Sequence, residues 1–212
     1  PALPAVARDF GTSAAAAQLT LTVYLVGIAG GQLVYGPLSD RFGRRPVLLF
    51  SLARFLVASL VGALAPAIDW LIAARVVQAL GACGGLVLGR AMARDGASPE
   101  QAARQLALLV MVMTVSPAVA PLLGGLVAEA VGWRGIFMLL SLAAAALLAL
   151  TVVAVPETNY QRSPLPGIRA LLAVYGQLAA RADFRGYAIG GACMSTSLYA
   201  FLSASPFLFM DL

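Results

Sequence analysis

Six apolar stretches recur along the chain: about Ala15–Pro37, Val47–Ala67, Trp70–Met92, Leu106–Val127, Trp133–Val155 and Phe184–Phe209. A helix needs about 20 apolar residues to cross a bilayer, and each stretch is long enough. Strands of a membrane barrel are about 10 residues with strict alternation, which these stretches lack. Composition agrees. Charged residues make up 11% of the chain, against about 25% in a soluble domain, too few to cover a soluble surface. With 61% hydrophobic residues, disorder is excluded as well. The chain reads as an all-α polytopic membrane protein, a bundle of about six spans.

The net charge of +5 comes from arginine alone, since the 14 cations include no lysine. A nucleic-acid partner would want those cations on one basic face. They lie instead between the apolar stretches. Arg41, Arg44, Arg45, Arg90, Arg94, Arg104, Arg162, Arg169, Arg181 and Arg185 fall on alternate gaps, with only Arg8 and Arg134 on the others. By the positive-inside rule, residues 40–46, 93–104 and 157–183 are expected in the cytoplasm and the Pro1 end outside, in the periplasm of a cell inner membrane. Three parts are expected: a membrane unit over 1–156, a proline- and arginine-bearing cytoplasmic linker over 157–183, and the first span of a second unit over 184–212. The chain starts at Pro1 without an initiator Met and stops at Leu212 straight after an apolar run. It is therefore expected to be a piece of a longer protein.

The sequence contains no histidine, which removes H-E-x-x-H metal chemistry and histidine bases. No G-x-S-x-G is present, and the acids sit in gaps or near span ends. An enzyme is not expected, nor a cofactor or a metal. Cys83 and Cys193 both fall inside apolar stretches and form no disulfide framework.

Three local patterns carry chemistry. The stretch Gly36-Pro37-Leu38-Ser39-Asp40-Arg41-Phe42-Gly43-Arg44-Arg45-Pro46-Val47-Leu48 reads as a tight turn between two spans. Gly36 and Gly43 would allow close approach and unusual backbone angles. Asp40 can pair with the neighbouring arginines or cap a helix N-terminus; a plain solvated loop is the other reading. In the third span, Arg75 lies roughly 8 Å inside the end at about 1.5 Å per residue. Arginine there costs at least about 2.5 kcal/mol. It either snorkels to the interface or joins Gln78, one turn on, in a polar stripe facing a bundle interior. In the fourth span, Ser116, Ala120 and Gly124 are four apart, a small-residue face for close helix packing, and Pro117 and Pro121 would bend the helix. Tyr24 and Tyr35 share a face with Gly27 and Gly31, which fits either a cavity lining or helix packing. Gln32, Met111, Met113 and Tyr199 are further pocket candidates, and Arg54 is expected to snorkel.

These patterns resemble the major facilitator superfamily. Gly36, Leu38, Asp40, Arg41, Gly43, Arg44, Arg45 and Leu48 match its G-x-L-x-D-R-x-G-R-R-x-x-L signature. The resemblance implies a conformational latch formed by Gly36, Asp40, Arg41, Gly43, Arg44 and Arg45. Asp40 would dock against the other half of the transporter, and Arg44 would pair with an acid at the end of the next helix but one, here Asp95. Leu71, Arg75, Gln78 and Gly81 resemble the fourth-helix motif L-x-x-x-R-x-x-Q-G, with Ala79 where that motif has glycine. The resemblance gives Arg75 and Gln78 a part in proton coupling. Pro121, Gly124 and Gly125 match the fifth-helix motif G-x-x-x-G-P-x-x-G-G of drug–proton antiporters, with Ser116 and Ala120 replacing glycines. Pro1-Ala2-Leu3-Pro4, Pro156-Glu157-Thr158 and Phe201–Phe207 are similar to segments of the Bcr/CflA drug-resistance branch.

The resemblance implies that the spans are helices two to seven of a 12-helix fold, with an acid-bearing first helix upstream. It implies a transporter, monomeric when full length, that exports small amphipathic drugs such as phenicols or bicyclomycin in exchange for protons. Import of a small metabolite is the alternative, as is an inactive truncated product. Its partners would be the drug, protons and the lipid bilayer.

Overall fold

The computed structural model of the chain describes residues 2–160, 163–164 and 167–210, with side chains described at all of these except 168 and 198–210. Among them are eight helices and no strand: α1 (Leu3–Asp9), α2 (Ala14–Phe42), α3 (Arg44–Ala63), α4 (Ile68–Met92), α5 (Pro99–Val131), α6 (Trp133–Ala154), α7 (Ile168–Ala180) and α8 (Ala182–Met210). Five of them, α2 to α6, are long and apolar enough to cross a membrane. The sixth apolar stretch of the sequence is the 29-residue α8. The fold class is the all-α class expected. Two compact units divide the chain, Pro1–Leu165 and Pro166–Leu212.

Helix starts follow local chemistry. Ser13 accepts the Ala16 N–H at 3.2 Å to begin α2. Ser98 and Gln101 form a reciprocal capping box at the start of α5. Two junctions are a single glycine. Gly43 at φ 98°, ψ 153° joins α2 to α3, and Gly132 at φ 78°, ψ 175° joins α5 to α6. This region of backbone space is nearly restricted to glycine.

In the first unit α4 is central. It packs on α2 and α3, α3 packs on α6, and α5 rests chiefly on α6. α4 buries Leu71, Ala74, Gln78, Ala79, Gly81, Cys83, Gly84 and Leu88. Small residues set the spacing. A Cβ on Gly81 would stand 2.7 Å from the Phe55 backbone nitrogen, and one on Gly31 would stand 3.0 Å from Cys83 Sγ. Of the two readings for the Gly27–Gly31 face of α2, the helix-packing one fits: Gly27 faces Ala79 and Gly31 faces Cys83.

Two expectations need correction. The turn expected from Gly36 shrinks to Gly43, because α2 continues through Pro37 as far as Phe42. Gly36 is helical, does not have a positive φ, and has nothing within 4 Å of an added Cβ. The span expected from Leu106 starts at Pro99, giving a 33-residue helix that runs unbroken through Pro117 and Pro121. Its small-residue face is open in this chain: α5 has no buried residue, Ser116 and Ala120 are exposed, and an added Cβ on Gly124 or Gly125 meets nothing within 4 Å. The close approaches lie instead among α2, α3, α4 and α6, at Gly27, Gly31, Gly62, Gly81 and Gly84. The stretch 157–183, expected as a linker, contains two kinds of structure. Residues 157–159 and Ser163 bond back onto the first unit, and residues 168–180 form α7.

Candidate functional site

The first cluster forms where α2 ends, α3 begins, and the chains leaving α4 and α6 arrive. Arg44 is its hub. Its Nη1 donates to Asp40 Oδ1 at 2.5 Å and to Ser39 Oγ at 2.5 Å, and its Nε to Asp95 Oδ2 at 3.1 Å. The Arg44 side chain is 14% exposed, Asp95 23% and Asp40 48%, so Asp40 keeps one side open. Thr158 Oγ1 donates to the same Asp95 Oδ2 at 2.8 Å. Asn159 Nδ2 donates to the Ser39 and Asp40 carbonyls at 3.3 and 3.2 Å. Arg45 Nη2 donates to the Val152 carbonyl at 2.6 Å. Arg41 is exposed and stacks on Phe42, 5.4 Å from its ring centre.

Glu157 completes this cluster. Oε1 accepts from the backbone N–H groups of Arg44, Thr158 and Asn159, each at 2.9 Å, and Oε2 accepts from Arg45 N at 3.2 Å. The first turn of α3 exposes unpaired N–H groups and the positive end of its dipole, and no side chain at Gly43 caps it. A carboxylate 113 residues away does so. Burial raises the Glu157 pKa, but four backbone donors outweigh it and hold the group below its ordinary value. Sequence reading noted Pro156-Glu157-Thr158 only as a likeness. The partners of Glu157 are backbone groups, which leave no side-chain pattern to find. The available signal was the pairing of an uncapped helix start after Gly43 with an acid at the end of a neighbouring span.

The second cluster is the polar stripe on α4. Arg75 Nη1 donates to Gln78 Oε1 at 2.6 Å, Gln78 Nε2 to Ser59 Oγ on α3 at 2.8 Å, and Ser59 Oγ to the Phe55 carbonyl at 2.7 Å. Arg75 Nε reaches the Thr20 carbonyl on α2 at 3.4 Å, and the guanidinium stacks 3.8 Å from the Tyr24 ring centre and 6.0 Å from that of Phe137. Both of these polar contacts of Arg75 point into the helix packing, as the polar-stripe reading expects. None of the three ion pairs among the described residues includes Arg75. A cation thus sits in an apolar bundle, held by one amide, one carbonyl and aromatic faces.

A third cluster, unforeseen, closes the opposite end of the unit. Asp9, at the end of α1, accepts from Trp133 Nε1 at 3.1 Å and forms a short ion pair with Arg134 Nη1. Arg134 Nη2 donates to the Ala65 carbonyl at 3.3 Å and stacks 4.4 Å from the Trp133 ring centre. Beneath them Val6, Ala17, Ala65, Leu71 and Trp133 form a buried core. The bonds from Arg134, and secondarily from Trp133, lower the Asp9 pKa.

The remaining candidates are scattered. Tyr24 joins Arg75, whereas Gln32 and Met111 are exposed. Arg90 Nη2 lies 3.7 Å from Met113 Sδ. Arg54 stacks on Phe50 at 4.5 Å, one turn nearer the Gly43 end. The concave apolar surfaces lie elsewhere, one among Val57, Leu60, Leu64 and Trp70, another among Leu38, Phe42, Val47 and Phe50. The Tyr199 side chain, Arg162 and the side chains of Phe201–Phe207 lie outside the described residues. No group of acids, histidines or cysteines able to hold a metal occurs among the described residues.

Known proteins place these clusters in a family. The sequence model of the Major Facilitator Superfamily matches residues 1–212. The chain is 40% identical over 212 residues to the chloramphenicol resistance protein of Pseudomonas aeruginosa, covering 99% of this chain and 49% of that protein. It is 36% identical over 215 residues to the uncharacterized MFS-type transporter YdgK of Bacillus subtilis (strain 168), covering 100% of this chain and 54% of that protein. Multidrug resistance protein D of Escherichia coli (strain K12) is 35% identical over 187 residues, covering 88% and 47%. The chain thus spans about half the length of these curated relatives. In structure it is similar to the human organic anion transporter MFSD10 (TETRAN), with a TM-score of 0.62 at 19% identity over 84% of this chain and 45% of that one. Together with its five membrane-crossing helices, the match makes this a multi-pass membrane protein. Over its whole length the chain belongs to the Major Facilitator Superfamily and, within it, to the Bcr/CflA-like group.

Proposed function

We propose that this chain is part of a proton-coupled exporter of small amphipathic drugs that works by alternating access in the bacterial cytoplasmic membrane. The observation that carries the reading is the Arg75–Gln78–Ser59 relay. A guanidinium is kept inside an apolar bundle with no carboxylate partner among the described residues. Such a charge is expensive and marks a functional site by default. In the exporter its counter-charge is a titratable acid of the whole transporter. Protonating that acid frees Arg75, and binding of a drug near the midplane competes for the same groups. The names of relatives that carry chloramphenicol and multidrug resistance support a drug as cargo.

The Arg44 cluster is the latch of this cycle. It lies on the cytoplasmic side, where the arginine-rich gaps fall, and the Pro1 end lies in the periplasm. Asp40, half-exposed, is the group that docks on the other half of the full transporter. Ser116, Pro117, Ala120, Pro121, Gly124 and Gly125 form an open face on α5 that serves as a packing surface in the complete fold.

The test is drug accumulation in cells expressing the full-length protein, with and without a proton uncoupler. Lower accumulation that the uncoupler abolishes is the expected result. Accumulation unchanged by expression overturns the exporter reading, and increased accumulation favours import. Full insertion with impaired export by Asp40→Asn would support the latch.

A further inference from the structure

The Asp9 cluster has no part in the latch, yet it lies one helical turn from the Arg75 relay. Leu71 and Trp133 both belong to the buried core beneath Asp9. Arg75 follows Leu71 by four residues on α4, and Phe137 follows Trp133 by four on α6, a rise of about 6 Å in each helix. The two layers touch through aromatic rings. Trp133 meets Phe137 edge-on with ring centres 6.0 Å apart, and the Arg75 guanidinium lies 6.0 Å from the Phe137 ring centre. Both separations fall in the range where such contacts are favourable.

Each ring is fixed from outside the relay. Trp133 is buried, and its Nε1 donates to the Asp9 oxygen that also pairs with Arg134. Arg134 covers one part of the Trp133 ring, and Phe10, just after α1, tilts against it at 5.4 Å. Phe137 is seated on α3 at Gly62, where an added Cβ would stand 2.8 Å from its Cδ1. The other holds on Arg75 come from α2 and α4: the Thr20 carbonyl at 3.4 Å, the Tyr24 ring and Gln78. One amide and one long carbonyl contact restrain a rotamer-rich side chain only loosely. The Phe137 ring closes its α6 side, and close-packed side chains transmit displacement.

We propose that Asp9 and Arg134 are positioning residues for Arg75: by fixing Trp133 they hold Phe137 against the guanidinium and keep it turned into the bundle. The bearing of this on export rests on the proton-coupled reading above. The positioning itself does not, and it is measured without transport.

The full-length protein, isotope-labelled in its arginines, is purified in detergent, and the Arg75 Nε–H resonance is assigned by its loss in Arg75→Met. The Tyr24 ring should set this resonance apart from those of exposed arginines. The expected result is a shift toward them in Asp9→Asn and in Arg134→Gln, in the same direction for both. Asp9→Glu, which keeps a carboxylate for both donors, should leave the resonance near its wild-type position. Gly62→Ala, which displaces Phe137 without touching Asp9, should move it as well, whereas Gly43→Ala, at the other end of the unit, should not.

A resonance unmoved in Asp9→Asn and Arg134→Gln overturns the proposal. So do shifts of opposite direction in the two, which would be the direct field of the lost charges, and an equal shift in Gly43→Ala, which would be general loosening. In cells, uncoupler-sensitive drug export should fall several-fold in Asp9→Asn and Arg134→Gln and recover in Asp9→Glu. Wild-type export in both variants despite a moved resonance overturns the role in transport. A wild type without uncoupler-sensitive export overturns the exporter reading alone, and the resonance still decides the positioning.

Discussion

Glu157 Oε2 lies 2.5 Å from the point where a Cβ on Gly43 would stand. The glycine is therefore held twice, by a backbone conformation that L side chains avoid and by a carboxylate that fills the vacant space. Gly43→Ala should destabilise the protein by about 1–3 kcal/mol from backbone strain, with a further cost if Glu157 is displaced. Gly36→Ala, in a helix with open space around it, should be neutral or gain up to about 1 kcal/mol. Thermal unfolding in detergent compares the two, and equal damage by both would refute this division of roles.

Removing the remote cap has its own signature. Glu157→Ala should cost about 0.5–2 kcal/mol, as for other N-terminal caps, and Glu157→Gln less, since one acceptor oxygen remains. The folded-state pKa of Glu157 lies below its ordinary value of 4.5. The unfolded chain therefore binds a proton first, and the contribution of Glu157 is present above 4.5 and lost as pH falls through the lower, folded value. Wild type and Glu157→Gln should converge in melting temperature under those acid conditions. A constant gap across the range would contradict the assignment.

Arg75 is expected to set function against stability. A lone guanidinium in an apolar helix costs at least about 2.5 kcal/mol on insertion scales. Arg75→Met should therefore insert as well as wild type or better while abolishing uncoupler-sensitive export. Pulse-labelled membrane insertion and drug accumulation measure the two separately. Parallel loss of both would make Arg75 a structural residue.

At the other end of the unit, Asp9→Asn and Arg134→Gln should each lower stability, and the double variant should lose less than the sum, because the two share one ion pair. Arg134 lowers the Asp9 pKa below 3.8, so this coupling should hold from neutral pH down to 3.8 and vanish only as pH falls through the depressed value. A double-mutant cycle by chemical denaturation checks it, and strict additivity at neutral pH would remove the pair from the account.

Glycines on α4 and α5 should respond oppositely. Gly81→Ala drives a methyl group to within 2.7 Å of the Phe55 backbone, which overpacking would penalise by about 1–3 kcal/mol. Gly124→Ala meets nothing and, like Gly36→Ala, should be neutral or gain up to about 1 kcal/mol in this chain. If the open α5 face is a packing surface of the complete transporter, the same change should lower export by the full-length protein. Melting temperatures and drug accumulation decide both parts.

The six long helices and the all-α class were legible because hydropathy over about 20 residues is a property of the local sequence, whereas the short α1 and α7 gave no such signal. Helix ends were less so. Pro37 looked like a stop, yet α2 runs on to Phe42, since a proline costs one backbone bond and neighbours can absorb it. The polar first turns of α5, from Pro99 to about Arg104, fell outside the apolar count although Ser98 caps a helix there. In the site, Arg75 with Gln78 was readable from residue type and one-turn spacing, and Arg44 with Asp95 only through the family resemblance. Glu157 was not, because its ligands are main-chain groups far along the sequence. The pairing of Asp9 with Arg134 left no local pattern, because it depends on α1 folding back over the bundle.

The two single-glycine junctions have a mechanical consequence. With one residue between α2 and α3, and one between α5 and α6, neither hairpin has slack for its two arms to slide past each other. Each behaves as a stiff lever bent at a fixed joint. Whatever bending the unit undergoes must be taken up in the longer connections at residues 64–67 and 93–98, and it is the second of these that carries Asp95 to Arg44.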